Sequence, residues 1–468
     1  MHVGGGDNRL ESMMDTRVRL TFLMVVVTCT LPGRSLAQGL DQVATAPPNI
    51  VPANYDSVPV GPFGGLEGSA YAARVGDPSA AWFNPAGLTR QSTAQISGSA
   101  GVYQHTSVSP QALQNRGGSV QQLPNFVGFT VPIHGGLTAG VALVTTNAWS
   151  QETDAELITS SSASQERFAY SADSEYSRRV AAIGVGYHGS GAWRVGGGFA
   201  FSLMDLRLVQ SASDRVADGS GLSTLLVTAR ATGSAVQLRT QAGVQYDTPR
   251  FRFGAAVRSP GLTMLGSGVV TLDGTLNAGA SSLGASVFDP DARLEYHVPW
   301  EIHGGAAYVH DRVELELDVQ GYTSIAAYSL LSTVQPTLIY ASAGAGTPPT
   351  VLSRPFGGLV SASEGVVNAA FGGHVRVMSS RDVRVHGGFA TSRSPVGDAD
   401  QLFNKIDLSS WTVGVSGTWA KFQFSGGFNH RAGTANDVLR RNLLNGDPLQ
   451  TDIDVRVTGF IYSIAYLF

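Results

Sequence analysis

The stretch RVELELDVQGY, residues 312–322, decides the fold: Val313, Leu315, Leu317 and Val319 alternate with Glu314, Glu316, Asp318 and Gln320. A period of two puts the apolar set on one face of a strand and the acids on the other. The water-facing sheet of a soluble sandwich reads the same way locally, so the neighbouring segments must choose. KFQFSGGFNH (421–430) repeats the alternation, with Phe422, Phe424 and Phe428 on one face and Gln423, Ser425 and Asn429 on the other. Fourteen such segments can be placed, at 92–104, 124–133, 136–147, 177–188, 191–206, 235–247, 250–259, 292–309, 312–323, 366–378, 382–392, 409–419, 421–430 and 454–468. The segment 292–309 contains Pro299. Read as a bulge, that proline keeps the strand number even and leaves Leu294, Tyr296, Val298, Trp300 and Ile302 on one face. The connections alternate between short turns, near 134–136, 189–191, 248–250 and 310–312, and long loops, at 148–176, 260–291 and 324–365. An even number of strands with short turns at one end and long loops at the other is the pattern of an outer-membrane barrel.

Composition agrees. Charged residues make up 14% of the chain, against roughly 25% in soluble domains, and 57 residues are glycine. After residue 37 no apolar run approaches the ~18 residues of a membrane helix. A closed barrel is then the remaining way to satisfy the backbone in lipid. The expected fold is all-β: a fourteen-stranded antiparallel transmembrane barrel with an N-terminal plug in its lumen. The chain ends on GFIYSIAYLF, where Phe460, Tyr462, Ile464, Tyr466 and Phe468 alternate. This stripe resembles the signal that bacterial barrel-assembly machinery reads, with Ser463 where that pattern prefers glycine. Barrel-assembly machinery, outer-membrane lipid and lipopolysaccharide are therefore expected partners.

The N-terminus reads as an address. Arg17 and Arg19 precede LTFLMVVVTCTL, and SLA at 35–37 places small residues before an expected cut after Ala37. Cys29 leaves with that segment, so no thiol chemistry is expected of the mature chain. The expected organisation is a signal peptide at 1–37, a Pro-rich periplasmic lead at 38–62, a plug at 63–91 and the barrel at 92–468.

Within the plug, EGSAYAARVGDPSAAWFNPAGLTRQ (67–91) ends in the turn Asn84-Pro85-Ala86-Gly87. This run resembles the hatch of the FadL-type outer-membrane transporters of long-chain fatty acids and other hydrophobic compounds. The matching residues are Ala70, Tyr71, Ala72, Ala73, Arg74, Asp77, Ser79, Ala80, Asn84, Pro85, Ala86 and Gly87. FRFGAAVRSPG (251–261) and VPWEIHGGAAYV (298–309) are similar to family segments, whereas PFGGLEGSA departs from the usual Gly-Met-Gly-Gly form. The resemblance implies passive uptake of a fatty acid or other hydrophobic ligand. Ligand would be captured by outer loops, pass a lumen pocket and leave laterally at a kink in the third strand, with Asn84, Pro85, Ala86 and Gly87 gating.

Gly140, in the third strand GLTAGVALVTTN, is the candidate for that kink. Arg239, Arg252 and Arg258 face inward and are candidates for a ligand carboxylate. Glu314, Glu316 and Asp318 read as one side of a lumen ion-pair network with neighbours such as Arg293, Glu295, His297, His303, His374 and Arg376. No metal-ligand set, cofactor motif, Walker loop or catalytic triad is identified. The net charge of −4, without a basic tail, gives no footprint for nucleic acid. The alternatives are a structural or secretion-associated barrel, or a barrel lipase or protease.

Overall fold

The computed structural model describes residues 51–468 apart from 111–116, 162–163, 220, 343–347, 349, 355–358, 401 and 440–448. The signal segment 1–37, with Cys29, and residues 38–50 of the lead lie outside the described residues.

Seven strands open the sheet: β1 (Gln95–Pro110), β2 (Gly117–Pro132), β3 (Leu137–Ser160), β4 (Ser164–His188), β5 (Trp193–Asp218), β6 (Gly221–Asp247) and β7 (Phe251–Arg258). They are followed by β8 (Leu262–Ala278), β9 (Ser281–Leu294), β10 (Glu301–His310) and β11 (Val313–Tyr322). Then come β12 (Ile325–Ser332), β13 (Thr337–Ser342), β14 (Thr350–Arg354) and β15 (Leu359–Ser363). The chain finishes with β16 (Val366–Met378), β17 (Val383–Ser392), β18 (Leu408–Trp419), β19 (Phe422–Leu439) and β20 (Leu449–Leu467). Of the twenty strands among the described residues, fourteen form a closed antiparallel ring: β1 to β7, β10, β11 and β16 to β20, with β20 pairing back onto β1 from Gln95↔Leu467 onward. Closure leaves the ring without an edge.

The outward faces carry the apolar half of each alternation. Ile183, Phe199, Phe253, Leu317, Phe389 and Trp411 are exposed, as a lipid-facing band requires. Higher on β5 the same outward face becomes Asp205 and Arg207, so the wall leaves the apolar band there.

The remaining six strands form an extension on the long-connection side. β8 pairs with the far half of β6, then β9, β13 and β14 follow in order, while β12 and β15 form a smaller sheet against β9. This corrects the expectation of long loops at 148–176, 260–291 and 324–365. β3 and β4 run on as one ladder through most of the first, and strands fill much of the other two. The inner face of the extension has its own core of Phe168, Tyr170, Leu225, Val227, Leu276 and Ile339.

The segment 292–309 is not one bulged strand. β9 ends at Leu294, β10 starts at Glu301, and the side-chain phase inverts between them: Leu294, Tyr296 and Val298 are buried, whereas Trp300 and Ile302 are 48% and 61% exposed. Pro299 has no N–H to keep a ladder in register, and its carbonyl instead accepts from Arg239 Nη2 at 3.0 Å.

The described part of the Pro-rich lead is inside the barrel, not in the periplasm. Val51, Tyr55, Val58 and Val60 are buried, and Pro52 bridges Asn404 in the connection between β17 and β18. Asn54 fixes this path by donating to Ser392 O (2.7 Å) and Ile406 O (2.9 Å). Extended backbone with apolar side chains is stable in the lumen once its polar groups find such partners.

Candidate functional site

The plug packs on two opposite parts of the wall. On one, a short helix (Ala80–Phe83) leads into a 3₁₀ turn (Pro85–Arg90). Asn84 caps that turn, its Oδ1 accepting from Ala86 N at 3.2 Å, while its amide donates towards the Ala72 and Val244 carbonyls, each at 3.1 Å. Proline at the first position of the turn needs no donor, which is how Asn-Pro serves here. A Cβ on Gly87 would lie 2.3 Å from Val75 O, so only glycine lets the turn close on the preceding loop. The wall is equally bare beneath it. Gly186, Gly196 and Gly243 are register partners across β4, β5 and β6, and a Cβ on any of them would strike Pro85 or Asn84. Around this seat Val75, Trp82, Phe83 and Leu88 pack on Phe126, Ala142, Val144, Val180, Ala182 and Ala200.

On the opposite part the plug is held by charge. Asp318 Oδ2 accepts from the backbone N–H groups of Tyr71 (2.8 Å) and Ala72 (3.0 Å), and Glu316 Oε1 from that of Ala73 (2.6 Å). Arg74 bridges Glu316 Oε2 at 2.8 Å and Glu67 Oε2 at 2.5 Å. Glu67 Oε1 meets the Nδ1 atoms of His374 at 2.9 Å and His386 at 2.7 Å. Burial opposes ionisation of Glu67, but Arg74 and the two imidazoles hold its carboxyl below the ordinary range. The Ala-rich run is thus a strip of backbone thin enough for wall carboxylates to reach. Of the neighbours named from sequence, His303 joins Asp318 at 3.0 Å, whereas Arg293 and Glu295 pair with each other in an exposed position and Arg376 pairs with Asp382.

The three candidate arginines do not form one site. Arg258 is bonded to Glu301 and to the Trp82 carbonyl and lies 3.7 Å from the Trp82 ring centroid. Arg239 donates to Ser259 O (2.7 Å) and Pro299 O (3.0 Å), and its Nη1, 3.5 Å from Glu301 Oε2, makes no hydrogen bond. Arg252 is partly exposed, 3.9 Å from Glu314, beside the short turn that follows β6.

A fourth arginine is the more open one. Arg178 is 2% exposed, its Nε and Nη2 have no hydrogen-bond partner, and its nearest acid, Asp56, is 3.9 Å away. It projects beside a packed apolar cluster of Val51, Tyr176, Met204, Leu294, Tyr296 and Phe403, in which the Tyr176 and Tyr296 hydroxyls bond at 2.9 Å. The phase of β4, with Tyr176, Arg178 and Val180 all inward, carried that signal in the sequence.

The wall is unpaired close by. β2 and β3 pair from Pro132↔Thr138 to Phe126↔Val144 and then separate. β3 shifts register against β4 between Thr145 and Asn147, the latter opposite Arg178. At this break Thr146 O accepts from Val58 N (3.0 Å), and Asn147 donates to Asn54 O (2.6 Å), so the plug's own lead stands behind the seam. Gly140 sits below it in regular ladder, opposite Thr130 and Gly184, where a Cβ would be 2.5 Å from Leu88 Cδ2. There it leaves room for Leu88 of the plug.

Comparison with solved structures identifies the fold. A Pseudomonas aeruginosa FadL homologue aligns at 13% identity over 89% of this chain and 99% of its own, with a TM-score of 0.56. The Pseudomonas putida toluene transporter TodX aligns at 12% identity over 90% and 100%, TM-score 0.58. The Ralstonia pickettii toluene transporter TbuX aligns at 15% identity over 87% and 98%, TM-score 0.50. No protein-family model and no curated protein matches the sequence. The chain therefore has the plugged fourteen-stranded barrel fold of these transporters.

Proposed function

We propose that the protein is a passive, non-enzymatic channel for hydrophobic small molecules across the bacterial outer membrane. The observation that carries this reading is the juxtaposition of a plugged lumen, an apolar cluster on the lumen side and an unpaired seam in the wall between β2 and β3. An aqueous pore offers an apolar solute nothing, whereas a lateral exit spares it return to water at about 0.8 kcal/mol per methylene. The fold shared with a FadL homologue and two toluene transporters supports a hydrophobic cargo.

In this scheme Asn84, Pro85, Ala86 and Gly87 fix the plug, and the exit lies at Thr145–Asn147, above Gly140. A ligand headgroup, where present, meets Arg178 and Arg239; Arg258 and Arg252 serve structure. The mature chain begins at Gln38. The aromatic C-terminal strand is the mark for barrel-assembly machinery, and the exposed band faces outer-membrane lipid with lipopolysaccharide above. The test is uptake by cells with and without the full chain, using labelled hexadecanoate and labelled toluene as probes. Faster uptake of either supports the channel; equal uptake of both overturns it.

A further inference from the structure

We propose that Glu67, His374 and His386 form a binding site for one divalent transition-metal ion of the zinc class, which ties the plug to the wall. His374 and His386 are direct register partners on β16 and β17, so both imidazoles stand side by side on the lumen face, with ring centroids 5.2 Å apart. Glu67 descends on them from the plug. One donor atom from each of the three residues lies within 4.8 Å of the others, and all three residues are buried. Two imidazoles and one carboxylate are the donor set that suits zinc and its neighbours.

The spacing is close to what an ion needs. Ligand atoms bound at about 2.0–2.2 Å on a tetrahedral centre sit roughly 3.3 Å apart. The two Nδ1 atoms are 2.9 and 2.7 Å from Oε1, so small side-chain rotations open the cradle. The balance is simple. Without metal the Nδ1–H of each imidazole donates a hydrogen bond to Glu67 Oε1. On binding, that proton moves to Nε2 of the same ring, Nδ1 ligates, and Glu67 is already a carboxylate.

The surroundings suit the ligated state. His386 Nε2 is 2.8 Å from Ser416 Oγ, which then accepts from it and orients the ring. His374 Nε2 faces Arg384 Nη1 at 3.5 Å, and Arg384, held by Asp382, is partly exposed and can yield to water. Arg74 keeps Glu67 Oε2 occupied, leaving Oε1 for the ion. Charge points the same way: Arg74 is the guanidinium shared by Glu67 and Glu316, with Glu314 3.6 Å away, while Asp318 pairs with His303. A dication supplies the missing positive charge. Access is from the short-turn end, since Arg384 lies near the start of β17, directly after the 379–382 turn.

The experiment uses the purified full barrel without a histidine tag, stripped with chelator and titrated with Zn²⁺ by calorimetry, with heat-modifiability on gels as the check of folding. The expected result is one saturable equivalent per chain and a Zn²⁺-dependent rise in unfolding temperature. Both effects should vanish in the folded His374→Gln/His386→Gln double variant, and affinity should fall about 10-fold or more in Ser416→Ala. Absence of saturable binding by the wild-type barrel, or binding that survives the double substitution, overturns the site and leaves the trio a hydrogen-bonded latch.

Discussion

The two flanks of the plug are held by different physics. Against β3–β6 the contact is largely apolar and close-packed: Leu88 and Trp82 on alanines and valines, with the Asn84 turn laid on bare glycine backbone and, at its end, Arg90 paired with Asp247 of β6 at 2.5 Å. Against β10, β11, β16 and β17 it is ionic, built from Glu67, Arg74, Glu316, Asp318 and three histidines. Packing tolerates sliding by small steps, whereas a buried ion network is satisfied in one arrangement. The β2–β3 seam lies beside the apolar flank. The ionic flank is therefore the expected fixed point, and the apolar flank, apart from the Arg90–Asp247 pair, the side on which the plug would adjust.

That contrast can be broken most strongly at Arg74. Arg74→Met strands Glu67 and Glu316 as buried acids without their cation, a loss of about 3–5 kcal/mol. Conductance of the purified barrel in planar bilayers should rise; an unchanged closed state would mean the apolar flank alone retains the plug. Leu88→Ala should cost about 2–5 kcal/mol by opening a cavity in the apolar flank. Its expected signature is altered uptake with low conductance, because the ionic anchor survives. Gly243→Val overpacks the seat of Asn84 by about 1–3 kcal/mol and should shift protease sensitivity of residues 80–90 while leaving that of 67–74 alone. The smallest effect is expected from Pro85→Gly, about 0.4–1 kcal/mol through chain entropy. Uptake should fall modestly without a leak; a leak as large as that of Arg74→Met would erase the distinction between the flanks.

Much of this was legible because it depends on local periodicity. The inward phase of Glu314, Glu316 and Asp318, the even ring and the Asn84–Gly87 turn all follow from residues close in sequence. What failed depended on distant partners. The extension strands carry serine, aspartate and glutamate on water-facing surfaces, so 148–176 reads as loop until β3 is seen to pair with β4. The phase inversion at Pro299 is a single-residue event that shifts every following side chain to the other face. The union of Glu67 with two histidines more than 300 positions away exists only once the ring closes. Arg178 shares the inward alternation of Tyr176 and Val180, but its setting depends on Asp56, more than a hundred positions away.

The bare wall beneath the plug has a consequence for how sequence tolerates change. Gly186, Gly196 and Gly243 on one side, and Gly372, Gly388, Gly414 and Gly427 on the other, each face plug atoms at distances that leave no room for a Cβ. Part of the outline of the plug is thus written on the barrel as positions where no side chain is permitted. A complete substitution scan of the lumen face would return that outline as two silhouettes, one shaped by Asn84–Pro85 and one by Leu66–Glu67. Their borders would mark where the plug ends and where lumen residues become free to vary with the cargo.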